Sequence, residues 1–219
     1  MARIARVVIP GIPHHVTQRG NRRQRVFFCD DDYLLYRRLM TEFCRKHDVR
    51  VLAYCLMPNH THLVLTPAGT DGLRKAVGEA HRRYTRHVNF SHGWRGYLWQ
   101  GRFASFPMDD AHMYRAVRYI ELNPVAANLC RRPEHWPWSS ARAHLGIKED
   151  ELVDIMPLAA QILGWDEYLA EGTDHDPEVF SRHERTGRPL GSESFISELE
   201  SICGRRLRPD KAGRKPVGK

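Results

Sequence analysis

The chain has 219 residues, 42% hydrophobic and 27% charged, a composition of the soluble globular class and a length that suits one domain with a sizeable core plus an appendage. No window approaches the ~18 consecutive apolar residues of a membrane span, and the opening "MARIARVVIPGIPHHV", broken by Pro10 and Pro13, lacks the pattern of a secretory signal. A net charge of +8 argues for a polyanionic partner, nucleic acid first, while five scattered cysteines without a CxxC pair support neither a disulfide framework nor a cysteine zinc site and fit a reducing cytoplasm.

From Pro13, "PHHVTQRGNRRQRVFF" predicts a strand and then a loop with Gly20, Asn21 and the basic residues Arg19, Arg22, Arg23 and Arg25, expected near phosphates. "DDDYLLYRRLMTEFCRKH" follows as an amphipathic helix, its aspartates positioned to cap it, with Leu35, Leu39, Phe43 and Tyr36, Met40, Cys44 each recurring every fourth residue. Val51 to Met57 reads as a strand, Pro58 and Asn59 as a turn, and His60 to Thr66 as a second, antiparallel strand. Alternation then puts His60, His62 and Val64 on one face and Thr61, Leu63 and Leu65 on the other. A second helix spans Thr70 to about Val88, with Thr70 as its cap and Leu73, Val77 and Ala80 turned inward. "GRFASFPMD" predicts a further short strand and "DDAHMYRAVRYIELNPVAANL" a third helix. This order is ferredoxin-like, an α+β fold with a βαββαβ antiparallel sheet and helices on one face. Beyond Arg131 come a proline- and tryptophan-rich stretch, in which Trp136 and Trp138 are expected to pack, and a short helix around Pro157 to Leu163. The expected division is a catalytic domain over 1–145, a helical extension over 146–204 and a basic disordered tail over 205–219.

Neutral imidazoles bind divalent metals, and alternate residues of a strand can aim two at one ion, so His60 and His62 form half of a candidate metal site. On the third helix, Tyr119 and Asn123 stand four apart on one face. Asn123 would complete the shell as a hard oxygen ligand for Mg²⁺ or Mn²⁺, with Tyr119 as a covalent nucleophile towards a phosphodiester. Arg19, Arg22, Arg23 and Arg102 are candidate phosphate contacts. Trp99 or Phe103 are candidates for stacking on bases, although core packing is the commoner fate of such aromatics. His14 and His15 read chiefly as strand residues, with proton transfer the alternative.

Together "PHHVTQRGNRRQRVFF", "MPNHTHLVL", "WQGRFAS" and "RYIELNPVAANL" closely resemble the REP-associated tyrosine transposases of the HUH single-tyrosine superfamily, over about Ala2 to Leu145. The resemblance implies a divalent-metal nuclease and strand transferase that cuts single-stranded DNA beside a palindromic REP hairpin, leaving a 5′-phosphotyrosine and a free 3′-hydroxyl. Carried over by position, His60 and His62 match the histidine pair, Tyr119 the nucleophile and Asn123 the helix residue that supports the metal. Thr61 stands where the family usually has a large apolar residue. The expected location is cytoplasmic, at the nucleoid, and the sequence is compatible with a monomer and with a homodimer that exchanges helices. Two other readings compete. One is a non-catalytic ferredoxin-like module that binds single strands on its sheet. The other is a two-histidine phosphoesterase, for which "HHVTQ" is a poor second motif.

Overall fold

The computed structural model describes residues 4–172 and 176–209. The predicted order is present: β1 His14–Arg19, α1 Asp30–Lys46, β2 Val49–Met57, β3 His60–Pro67, α2 Gly72–His92, β4 Ala104–Pro107 and α3 Asp110–Ala126. The strands form one sheet in the order β2-β3-β1-β4, and every neighbouring pair is antiparallel. This is the ferredoxin-like topology.

Local chemistry fixes the elements. Asp32 Oδ2 accepts the Phe28 and Cys29 backbone N–H groups at 2.8 and 3.3 Å, closing the first turn of α1. Asp109 does the same for α3, accepting His112 N–H at 3.0 Å. The cap of α2 falls on Asp71, one residue after the expected Thr70. Pro124 lies inside α3 and not beyond its end, so the helix runs on to Ala126 without a donor at that position. The loop after β1 is bound to the tip of the β2–β3 hairpin, where Pro58 O accepts Val26 N–H at 2.9 Å and Asn59 O accepts Gly20 N–H at 2.8 Å. A Cβ on Gly20 would lie 2.2 Å from Gln24 O, so only glycine allows this close approach.

As expected for the βαββαβ unit, α1 and α2 share one face of the sheet, and α3, which follows that unit, lies on the other. Val16, Leu63 and Leu65 face α1 and α2 together with Tyr36, Met40, Phe43, Leu73 and Val77. Leu52, Cys55, Val64 and Phe106 on the opposite face are covered by Met113, Val117 and Ile120 of α3 and by Leu158, Trp165 and Phe180 of the C-terminal extension. The physical reason is the continuous apolar character of β2, buried at every position except Arg50. A strand apolar on both sides needs two layers of cover. Among the described residues, both faces of the sheet carry helical cover, and strand residues at the Arg19 end, among them Thr17, Arg19, His60 and His62, line a groove.

The extension supplies α4 Ala141–His144, α5 Met156–Ala159, α6 Trp165–Ala170, α7 Asp176–Thr186 and α8 Glu193–Cys203. It is tied down by Leu190, paired in parallel with Met108 beyond β4. Trp136 and Trp138 pack as expected: Trp138 stacks on Tyr33 with ring centres 4.6 Å apart, and the Trp136 indole N–H donates to Leu56 O at 3.1 Å. Of the segment expected as a disordered tail, residues 205–209 pack back, with Leu207 buried beside Val7, Ile9 and Leu199. Residues 210–219 lie outside the described residues. Among the described residues no helix is long and apolar enough to cross a membrane.

Candidate active site

The strand register assembles the site. In the β1–β3 pair Arg19 stands opposite His60 and Thr17 opposite His62, and in the β1–β4 pair His15 stands opposite Phe106. Directly paired residues of antiparallel strands project to the same side. His15, Thr17, Arg19, His60, His62 and Phe106 therefore share the face that α3 covers. His14, one residue out of phase, turns the other way and serves the backbone: its Nδ1 pairs with Ile12 O at 2.8 Å and its Nε2 accepts Ile9 N–H at 3.3 Å.

His60 and His62 are side by side as expected, with ring centres 4.9 Å apart and nearly perpendicular. His60 Nδ1 lies 2.6 Å from Asn59 Oδ1, which fixes that nitrogen as the protonated one and leaves Nε2 as a lone-pair donor. His62 Nδ1 lies 3.1 Å from His15 Nε2, and His62 Nε2 is buried without a partner. The tautomer in which His62 Nδ1–H donates to His15 would leave Nε2 unprotonated, the form a metal requires. Burial holds all three imidazoles neutral: it lowers His60 to about 4 and His15 to about 3, and it puts His62 well below the ordinary histidine value, with the neighbouring His60, His15 and Arg19 adding to the effect.

An oxygen donor comes from the C-terminal extension, where no motif marks it. Glu184, on α7, brings its carboxylate within 4.0 Å of His62 Nδ1, and one ligand atom each of His15, His62 and Glu184 lies within 4.8 Å of the others. With a neutral His62 this approach is not an ion pair. It is a nitrogen and oxygen donor set suited to a hard or borderline divalent cation. Burial pushes the Glu184 carboxyl up to about 7, only partly offset by Arg19.

Tyr119 enters from α3. Its ring meets His62 edge-on at 5.6 Å and His15 at 6.3 Å, and Phe180 of α7 packs on it at 5.1 Å. Asn123, one turn further along, stands close enough to the Tyr119 phenol to favour its ionised form. Burial and the Glu184 carboxylate raise the phenol to about 12, against the opposing effects of Asn123 and Arg19. The i, i+4 spacing thus delivers both side chains to the histidine face.

Arg19 and Arg102 line a groove of about 200 Å³ that also contains His60, His62, Thr17, Gln100 and Glu184. Arg22 and Arg23 lie in the 3-10 turn Asn21–Arg23, both exposed and with positive φ of 53° and 61°. Trp99 and Phe103, the candidates for stacking, are 7% and 5% exposed and belong to the core between the sheet and α2. Thr61 is buried on the helix side of the sheet, beside Tyr36.

The Glu184 carboxyl, pushed up by burial to about 7, gives a pH test. If Glu184 is a metal ligand, protons compete with the metal below about 7, so Mn²⁺ affinity measured calorimetrically should strengthen by up to roughly tenfold from pH 6 to 7 and level off above 8. Glu184→Gln should flatten that profile. The metal-free protein carries the opposite sign. A carboxyl raised in the folded state stabilises it fully below the unfolded value of 4.5, and this contribution is lost as pH rises through about 7, so the thermal midpoint should fall across that window unless Mn²⁺ is added.

Comparison with known proteins places the chain in a family. The sequence model for the family described as "Transposase IS200 like" matches residues 10–123, just over half of the chain and all of β1 to Asn123. A Haemophilus influenzae protein, provisionally named a REP-associated tyrosine transposase, is 25% identical over 116 residues, 48% of this chain and 66% of the relative. A solved structure of a REP-associated tyrosine transposase bound to a REP hairpin superimposes with a TM-score of 0.57 at 21% identity, covering 70% of this chain and 98% of that one. That likeness carries the fold.

Proposed function

Since the chain belongs to the IS200-like transposase family, we propose that it is a divalent-metal-dependent endonuclease and strand transferase that cleaves single-stranded DNA beside REP-like palindromic hairpins, with Tyr119 as the nucleophile. The observation that carries this reading is the edge-on approach of Tyr119 to His62, 5.6 Å between rings, at a groove lined by Arg19 and Arg102. A phenol at a pair of buried neutral imidazoles and beside guanidinium groups is the equipment for phosphoryl transfer.

His60 and His62 would hold the metal, with the Asn123 amide oxygen or the Glu184 carboxylate as the hard oxygen donor, and Asn123 would also orient Tyr119. The chemistry of these donors fits Mg²⁺ or Mn²⁺, and the buried, unpartnered Nε2 of His62 is the kind of atom a cation satisfies. When bound, such an ion would supply Lewis-acid stabilisation of charge on a phosphate oxygen. The remaining work belongs to side chains. Arg19 and Arg102 would seat the scissile phosphate, and Asn123 and Arg19 both favour the ionised phenol. The Tyr119 oxygen, on losing its proton, would form a bond to phosphorus as the P–O3′ bond breaks. The leaving oxygen would take up a proton to give a free 3′-hydroxyl, with the 5′-phosphate on the tyrosine.

The test is incubation with labelled single-stranded palindromes from the parent genome in Mn²⁺ or EDTA, followed by denaturing electrophoresis. A metal-dependent protein–DNA adduct that survives denaturation is the expected result. Tight binding with no adduct under any divalent metal would overturn the reading in favour of a binding protein.

A further inference from the structure

The aromatics that the structure leaves available to bases are not the ones the sequence suggested. The loop after α2, residues 93–100, exposes Trp94 at 44% and Tyr97 at 85%, with Arg95 exposed between them. Neighbouring exposed aromatics rimmed by polar residues mark interaction sites. The backbone beneath them is held in place: Trp94 N–H donates to Asn89 O at 2.8 Å, and the Asn89 side-chain amide donates to Gly96 O at 3.0 Å. Gly96 adopts a φ of 97°, a conformation that L side chains rarely take. Trp94 is itself seated, stacked on His92 at 4.6 Å and edge-on to Phe28 at 5.5 Å.

This ledge is continuous with the active-site groove. Asn21 N–H donates to Leu98 O and Gln100 N–H to Arg19 O, each at 2.8 Å, so the arginine-bearing loop after β1 and the aromatic loop are stitched together. Asn59, the neighbour of His60, donates its amide to Arg23 O at 3.2 Å. The two segments 19–29 and 90–102 contain Arg19, Arg22, Arg23, Arg25, Arg95 and Arg102 and no carboxylate, and acidic residues return only at Asp30. Among the described residues Arg22, Arg23, Arg25, Arg95 and Arg102 form no ion pair with a carboxylate, so their charge is left for a partner.

We infer that Trp94 and Tyr97 form a stacking ledge for the unpaired nucleotides that flank the hairpin, with Arg95 and the arginines of the β1 loop holding the phosphates between the stacked bases. The inference rests on the proposed function and adds to it the subsite for the single-stranded flank. Fixed aromatic rings interleaved with guanidinium groups suit single-stranded nucleic acid, because every base offers a π-face and each step carries one charge. A paired hairpin stem offers no free face to such a ledge.

The test compares two DNA ligands by fluorescence anisotropy, a hairpin with single-stranded flanks and the same hairpin without them. Tyr97→Ala removes a side chain that is almost wholly exposed, so folding is not at issue. Trp94→Ala is paired with Trp94→Phe, which keeps a ring on His92. Each alanine variant should weaken binding of the flanked hairpin by at least about fivefold and leave the bare hairpin unchanged, and Trp94→Phe should recover most of the loss. Arg95→Gln should reduce the salt slope of flanked-hairpin binding by about one. Unchanged affinity for the flanked hairpin, or an equal loss on both ligands, overturns the ledge while leaving the proposed function in place. Failure of the wild-type protein to bind either DNA refutes the proposed function, and the ledge falls with it.

Discussion

Tyr119→Phe is expected to bring the covalent protein–DNA adduct below detection, a loss of at least roughly 10³-fold as for other nucleophile deletions, while hairpin affinity stays within about twofold. The substitution removes one oxygen and keeps the ring that packs between His62 and Phe180, so the thermal midpoint should not move. It thereby separates chemistry from binding. It also separates covalent transfer from hydrolysis, which has a structural foothold: His15 and Thr17 stand on the same face as His62 through the β1–β3 register, and His15 Nε2 lies 3.1 Å from His62. A hydrolase built on those imidazoles would activate water and would cut without Tyr119. If Tyr119→Phe still releases a 3′-hydroxyl fragment at a comparable rate, the tyrosine is a packing residue and the histidines carry a hydrolytic reaction.

The histidine pair and Tyr119 could be read from sequence because each lies on a periodic element. A period of two placed His60 and His62 together, and a step of four placed Tyr119 and Asn123 on one helical face. The sheet order is legible for the same reason, since the turn at Pro58 and Asn59 and the short connections admit few topologies. What could not be read depends on contacts distant in the chain. Glu184 reaches the site from α7, well beyond α3 in the chain, with no motif around it, and only the register of β1 against β3 shows that His15, not His14, belongs to the site. Trp99 and Trp94 look alike in sequence, and only the fold separates a core aromatic from an exposed one. The bridge of Gly20 to Trp99 buries one, and the glycine-rich turn before it exposes the other. The cover on the second sheet face was visible as the unbroken apolar run of β2, but alternation in β3 suggested a sheet with one wet side.

Glu121→Ala is expected to be the most destabilising single change on α3. Glu121 is fully buried two residues from Tyr119, and the sequence gives no hint that it is anything but a surface charge in "YIELNP". Its Oε1 accepts Ser140 Oγ–H and pairs with His144 Nδ1, both at 2.6 Å, and its Oε2 accepts the Trp165 indole N–H at 2.8 Å. One carboxylate thus joins α3 to the loop before α4, to α4 and to α6. Ser140 passes the connection on to the sheet edge, where its hydroxyl accepts Tyr54 N–H at 3.0 Å. Alanine would leave two buried donors, the His144 ring and the Trp165 indole N–H, without an acceptor, leave Ser140 only its 3.3 Å contact to Tyr54 O, and open a void beneath the extension. Loss of one partner of a buried, charge-assisted set costs about 3–5 kcal/mol, which for a chain of this size lowers the thermal midpoint by on the order of 10 °C. Glu121→Gln keeps the volume and one carbonyl acceptor, so it should lie between alanine and wild type. Because α3 carries Tyr119 and Asn123 on its other side, the alanine variant should also lower the yield of adduct per bound DNA, through loss of the helix position and not of any reacting group. A midpoint unchanged within about 2 °C would mean that the extension is held to α3 by its apolar contacts alone.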